Sequence, residues 1–337
     1  MSRPTPLPRI TVIIPNLDQD LYLERAICSV LDQGYENLEL IVMDGGSSDQ
    51  SVEIIRTYDR DIDHWQSTWD SGPAEAVNTA LTWATGQIVG VLDADDAYLP
   101  YALHEAAQTM GDFEDDALQG PASGATSTEN PGADWMVGQA IRVDELDEHL
   151  GDLPADPPRT LSSFLMQDAG PLASSAVFYR TDLLKAMGGF DSQFKLAYAH
   201  EMHARLYAAN LKPAVARAAL TAVRDHDQSL SATHSLSCGP EFIDAAERYS
   251  THLAPTHRYL LWRSCDEARR LYAAAEMEIH EDASRRLLWS QLLKRPHWLA
   301  SSDYRRKLLQ NLGRDQAATK PKTIDTDHGS TDQRRAA

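Results

Sequence analysis

Three short apolar runs constrain this chain more than any other feature, because each breaks off into polar residues of a similar kind. Arg9 to Pro15 reads RITVIIP and stops at Pro-Asn; Leu38 to Met43 reads LELIVM and runs into Asp44-Gly45-Gly46; Ile88 to Leu92 reads IVGVL and delivers Asp93, Asp95 and Asp96. Runs rich in Val, Ile and Leu of this length suit strands buried on both faces. Between the first two, Leu21, Ala26, Ile27, Val30 and Leu31 recur with helical period before Gly34, which predicts a helix over residues 21–33. Ser47-Ser48-Asp49 supplies N-cap residues and predicts the start of another helix there. Strands alternating with helices imply an α/β fold, a Rossmann-like, mostly parallel sheet with right-handed crossovers.

Ligands of such open sheets bind outside the carboxyl ends of the strands. Pro15-Asn16, Asp44-Gly45-Gly46 and Asp93-Ala94-Asp95-Asp96 therefore gather on one edge. The sequence holds neither GxGxxG nor GxxxxGK[ST], which argues against a dinucleotide fold and a P-loop. Two carboxylates spaced i, i+2 at a strand end can hold a hard divalent cation, Mn²⁺ or Mg²⁺, and the cation in turn clamps a diphosphate. A single pair of this kind is more often a turn former or a helix cap; the coincidence of three such strand ends favours a site.

Composition narrows the partners. Among 337 residues, 31 are Lys or Arg and 50 are Asp or Glu, a net charge of −19. That acidity repels phosphate backbones, so nucleic acid is not expected as a partner. The chain has no uncharged apolar stretch of bilayer length, and MSRPTPLPRI is too polar for a signal peptide. Cys28, Cys238 and Cys265 are scattered, which fits a reducing compartment rather than a disulfide scaffold. The expectation is a cytoplasmic protein, soluble or at the inner face of the cell membrane.

The charge is unevenly placed. Residues 1–256 hold 15 basic and 39 acidic residues, whereas residues 257–314 hold 12 and 7. Residues 112–134 and 314–337 are polar and poor in large apolar groups, so the first reads as a surface insertion and the second as a disordered tail. Residues 231–313 read as a helical C-terminal region, in which Trp289 and Trp298 interleave with Lys294, Arg295, Arg305, Arg306 and Lys307. Such helices suit an anionic membrane surface. The alternative is that Leu and Trp pack on the domain while the cations face water.

The opening strand with Pro15, the DGGSSD loop, the segment WDSGPAEAVN, ATG before a strand and the acids DADD together resemble the family 2 glycosyltransferases, whose nucleotide-sugar-binding fold is of the GT-A type. The similarity is dense over residues 10–100 and continues through GPLASSAVFYRTDLLKAMGGFDSQF and RDHDQSLSAT, so that residues 1–230 form the expected domain. The resemblance implies an inverting, metal-dependent transfer of a sugar from a nucleoside-diphosphate sugar, UDP before GDP or dTDP, to a hydroxyl of a glycan or lipid-linked acceptor in polysaccharide or cell-envelope synthesis. Carried residue by residue, it implies that Pro15, Asn16, Asp44, Asp70 and Gly72 line the nucleotide pocket, with Asp44 bonding the base. Asp93 would face the ribose or a metal-bound water, Asp95 would ligate the metal, and His226 with Ser229 would lie near the diphosphate or the metal.

Inverting relatives carry a carboxylate base at the start of the helix after GGFD. Here that stretch reads Ala197-Tyr198-Ala199-His200-Glu201-Met202, and Ala199 stands where relatives often have an acid. Glu201 is the expected base and His200 the alternative; pairing of Glu201 with Arg205 at i+4 is the plain structural reading. Two other functions compete. One is a nucleotide-sugar-binding protein that has lost its base. The other is a nucleotidyltransferase, which needs a Gly-rich basic loop that Pro15-Asn16-Leu17-Asp18 does not provide.

Overall fold

The structure is a computed structural model and describes residues 7–111, 133–166, 172–226, 229 and 235–279. Nearly all of the expected insertion at 112–134, the basic helices beyond 279 and the tail at 314–337 lie outside the described residues. Contacts divide the chain into Met1–Ala268 and Arg269–Ala337. Of the second unit only residues 269–279 are described, and the account below concerns the first.

Four parallel strands come first: β1 (Ile10–Asn16), β2 (Leu38–Asp44), β3 (His64–Ser67) and β4 (Ile88–Val91), in the order β3-β2-β1-β4. The predicted strands coincide with β1, β2 and β4 almost residue for residue. Every residue of β1 is buried, and Ile10, Val12, Ile13 and Ile14 have no exposed surface. Each such side chain contributes roughly 1.5–3 kcal/mol on burial. Gly90 in β4 is a packing requirement, since a Cβ there would stand 2.6 Å from both the Phe178 ring and the Tyr98 hydroxyl.

The helices α1 (Asp20–Leu31), α2 (Ser51–Thr57), α3 (Pro73–Trp83) and α4 (Ala102–Met110) flank these strands. α2 begins at Ser51, two residues after Asp49, the last of the expected N-cap residues; Asp49 Oδ1 accepts from Ser51 N at 2.9 Å, while other side-chain atoms of residues 47–49 also serve the loop after β1. Ser47 Oγ accepts from the backbone of Asp18, Asp18 Oδ1 accepts from Ser48 N at 2.7 Å, Asp49 Oδ2 accepts from Asp20 N at 2.9 Å, and Asp20 Oδ2 accepts from Gln50 N at 3.2 Å. These reciprocal bonds stitch the loop after β1 to the loop after β2.

Beyond β4 the sheet becomes mixed. β8 (Val177–Arg180) runs antiparallel to β4 and to β6 (Trp135–Val143); β9 (Ala214–Arg224) is parallel to β6, and the short β5 (Ala97–Tyr98) closes the order β3-β2-β1-β4-β8-β6-β9-β5. β7 (His149–Leu153) forms a hairpin with β6. The helices α5 (Leu161–Leu165), α6 (Thr181–Ala186), α7 (Tyr198–Ala208), α8 (Ser235–Tyr249) and α9 (Pro255–Ile279) complete the described chain. No described helix is long and apolar enough to cross a membrane.

Candidate functional site

Register explains why the site lies where it does. β1 and β2 pair Asn16 with Asp44, and β2 and β3 pair Asp44 with Ser67, so three strands end level with one another. The ladder to β4 stops at Ile13 and Val91. Pro15, which has no N–H, therefore sits just past the last β4 pair, where no bond to that neighbour is owed.

Asp44 is buried and its carboxylate accepts five hydrogen bonds. Oδ1 takes them from Asn16 Nδ2 at 2.8 Å and Ser47 Oγ at 2.5 Å; Oδ2 takes them from Ser67 Oγ at 2.6 Å and from the backbone of Ser47 and Gly46 at 3.1 and 3.2 Å. Burial pushes this carboxyl up, but the bonds from Ser47, Ser67 and Asn16 outweigh it and hold it below the usual carboxylate range. Asp70 approaches Gly45 so closely that a Cβ there would stand 3.1 Å from Asp70 Oδ2, and Asp70 Oδ1 accepts from Gly72 N at 2.8 Å. Burial, with Glu75 and Asp44 nearby, raises the Asp70 carboxyl despite that bond.

The acids after β4 differ in their surroundings. Asp96 is buried, accepting from Ser175 Oγ at 2.6 Å and Arg224 N at 3.0 Å. Asp93 accepts from Ser174 Oγ at 3.1 Å, Ser175 Oγ at 3.3 Å and the Tyr198 hydroxyl at 3.4 Å. Desolvation and the charge of Asp95 push Asp93 up to about 6, and desolvation with both neighbouring acids drives Asp96 well above the carboxylate range. Three acids this close resist full ionisation, which is the electrostatic condition a cation relieves. Asp95 keeps a side chain 17% exposed, and its Oδ2 lies 3.1 Å from Nε2 of the buried His226. Nδ1 of that ring is buried without a partner among the described residues.

No group of three or more His, Cys, Asp or Glu among the described residues could hold a metal, so these residues alone offer no closed cage. An Asp95 carboxylate oriented by His226, with acids behind it, nevertheless fits a Mg²⁺-like site that takes one or two carboxylates and completes its shell from water and phosphate.

The sequence-predicted acids Asp44, Asp70, Asp93 and Asp95 thus share one sheet edge, and His226 joins them from β9. Glu201 and His200 are placed differently. Glu201 is buried in α7, its Oε2 engaged by Arg205, its Oε1 accepting from the Tyr249 hydroxyl at 2.5 Å, with Arg248 3.6 Å away. His200 packs between Phe164 and Phe242, each with ring centroids 4.6 Å away, and burial lowers it to about 4, which keeps it neutral. Ala199 is half-buried in the first turn of α7, the turn from which Tyr198 reaches Asp93.

Sequence reasoning passed over Ser175, Tyr198, Arg224 and Glu241. Glu241 accepts from the backbone of Lys195, Leu196 and Ala197 at 3.2, 2.8 and 2.8 Å, capping α7 from α8. All four act across long sequence separations and leave no local signature. Ser47, read from the sequence as an N-cap residue, bonds the Asp44 carboxylate instead.

Residues 11–153 match the family described as Glycosyl transferase family 2. A GalNAc(5)-diNAcBac-PP-undecaprenol beta-1,3-glucosyltransferase of Campylobacter jejuni is 33% identical over 106 residues, covering 30% of this chain and 34% of that one. The UDP-Glc:alpha-D-GlcNAc-diphosphoundecaprenol beta-1,3-glucosyltransferase WfgD of Escherichia coli is 34% identical over 102 residues, covering 30% and 40%. The matches thus span little more than a third of these curated relatives. Among solved structures, TarS of S. aureus in complex with UDP-GlcNAc superposes with a TM-score of 0.54 at 19% identity, covering 75% of this chain and 70% of that one. The likeness shows a shared fold, the GT-A type.

Proposed function

Residues 11–153 belong to glycosyl transferase family 2, and from that premise we propose that the chain transfers a sugar, with inversion, from a nucleoside-diphosphate sugar to a hydroxyl of a glycan or lipid-linked acceptor. The observation that carries the reading is the shared sheet edge, where Asp44 and Asp70 lie at the ends of β2 and β3 and Asp95, paired with His226, follows β4. UDP is the preferred donor nucleotide, with GDP and dTDP as alternatives; Pro15, Asn16, Asp44, Asp70 and Gly72 line its pocket. Asp95, with Asp93 behind it, would hold Mn²⁺ or Mg²⁺, which offsets charge on the departing diphosphate when bound.

The two relatives named above act on undecaprenol-linked acceptors, as their names state. That supports a lipid-linked acceptor; work at the cytoplasmic face of a membrane, with the basic C-terminal segment as the contact, is part of the same proposal. Glu201 is the acid proposed as base, with His200 as the alternative. A second reading, nucleotide-sugar binding without transfer, draws on Ala199 and on the prior engagement of Glu201 by Arg205 and Tyr249.

Calorimetric titration of UDP, GDP and dTDP with and without Mn²⁺, on the wild type and Asp95→Ala, tests the donor site. One nucleotide should bind more tightly with metal, and Asp95→Ala should remove that gain. Absence of binding by every nucleotide sinks the reading. Release of UDP from UDP-sugars in the presence of a polyprenyl-diphosphate-linked sugar then separates transferase from binding protein.

A further inference from the structure

Arg224, the last residue of β9, is a buried cation with partners on three separate segments. Its side chain is 3% exposed. Nε donates to the Asp95 carbonyl at 3.1 Å, one terminal nitrogen to the Asp144 carbonyl at 2.6 Å and the other to Asp147 Oδ1 at 2.6 Å, while the guanidinium carbon lies 4.9 Å above the Tyr22 ring. Its own N–H goes to Asp96. Two residues on, His226 lies 4.6 Å from the same Tyr22 ring and bonds the Asp95 side chain. The end of β9 therefore grips Asp95 twice, through the main chain by Arg224 and through the carboxylate by His226.

The far end of this grip is the turn between β6 and β7. Asp144 Oδ1 accepts from the backbone of Leu146 and Glu148, both at 2.8 Å, and closes the turn; Asp147 adopts φ 66° and also pairs with Arg25 of α1 at 3.4 Å. Asp147 is 43% exposed, so the buried guanidinium is anchored by a carboxylate at the surface. A planar fork satisfies donors in three directions at once, which a lysine ammonium on a flexible stem does not.

We propose that Arg224, anchored by Asp147, is a positioning residue that sets Asp95 and His226 to receive a divalent cation carrying a diphosphate. The proposal rests on the donor-site reading above. A residue of this kind affects the cation's contribution and not the nucleotide pocket around Asp44. In Arg224→Lys and Asp147→Ala, the gain in UDP affinity that Mn²⁺ confers should fall by about 10-fold or more, while UDP affinity without metal stays within about twofold.

The experiment is titration of UDP with and without Mn²⁺ into the full chain, for wild type, Asp95→Ala, Arg224→Lys and Asp147→Ala, with melting temperatures measured alongside. Asp147→Ala, at an exposed position, serves if Arg224→Lys fails to fold. A merely structural Arg224 would lower the melting temperature and leave the metal gain intact, which overturns the proposal. If the wild type itself shows no metal gain, the cation reading falls and this proposal with it; if the wild type shows one that only Asp95→Ala removes, the role of Arg224 alone is refuted.

Discussion

Nε2 of His226 lies 3.1 Å from Oδ2 of Asp95, while Nδ1 of the same buried ring meets no described partner. With the Nε2 proton directed at the carboxylate, Nδ1 presents a lone pair in a site poor in other donors. Partners that orient a metal-binding carboxylate in this manner typically govern metal affinity.

The first prediction concerns that pair. His226→Ala should weaken Mn²⁺-supported nucleotide binding about 10–100-fold. Calorimetry with a metal series reads it directly, and an unchanged affinity would place the imidazole outside the cation's influence.

Asp44 yields a prediction with a defined pH window. Its folded carboxyl is held below the ordinary value of 3.8 by Ser47, Ser67 and Asn16 against the cost of burial. Stability from this group is therefore fully present above about pH 4 and is lost as pH falls through the folded value. Asp44→Asn should cost about 1–3 kcal/mol at pH 7, and urea midpoints of variant and wild type should converge as the pH falls through the folded value. A constant gap across that range would show that ionisation of Asp44 contributes nothing.

Asp93 has the opposite sign. Desolvation and Asp95 raise it to about 6, so its ionised form opposes folding and the penalty grows as pH rises from about 4 to above 6. Asp93→Asn keeps acceptors for Ser174 and Ser175 and removes the charge. Without metal it should be more stable than the wild type at pH 7.5 by about 1–3 kcal/mol, the difference fading at pH 4. Thermal melts at both pH values decide it; a variant less stable at pH 7.5 would mean that the bonds to the ionised form dominate.

Why the acids were legible and their surroundings were not follows from the sheet. Periodicity alone located β1, β2 and β4, and a parallel sheet forces Asn16, Asp44 and Asp93 to one edge whatever the loops do. Ser175, in the turn just before β8, Arg224 at the end of β9 and Tyr198 in α7 reach that edge through pairings such as Gly90 with Phe178 and Val143 with Arg224. Nothing within a short window of sequence encodes such pairings. The second role of the residues before α2 was hidden for a related reason, since Asp49 and Ser47 also serve partners in the β1 loop some 29 residues earlier.

The last prediction separates a positioned base from a structural ion pair at Glu201. Its carboxylate is 1% exposed and engaged by Arg205 and Tyr249, while Arg205 also donates to the carbonyls of Met187 and Gly189 at 2.8 Å each. Removing one partner of a buried ion pair leaves an uncompensated charge, so Glu201→Ala should destabilise by about 3–5 kcal/mol. Glu201→Gln retains a shape that Tyr249 can still bond and should cost less. A base would show the opposite balance: Glu201→Gln would keep the melting temperature and nucleotide affinity while abolishing sugar transfer. If Glu201→Gln instead loses stability and transfer in step, the carboxylate shapes α7, and proton removal must be sought among groups near its first turn, where Ala199→Asp should then raise the transfer rate without altering donor affinity.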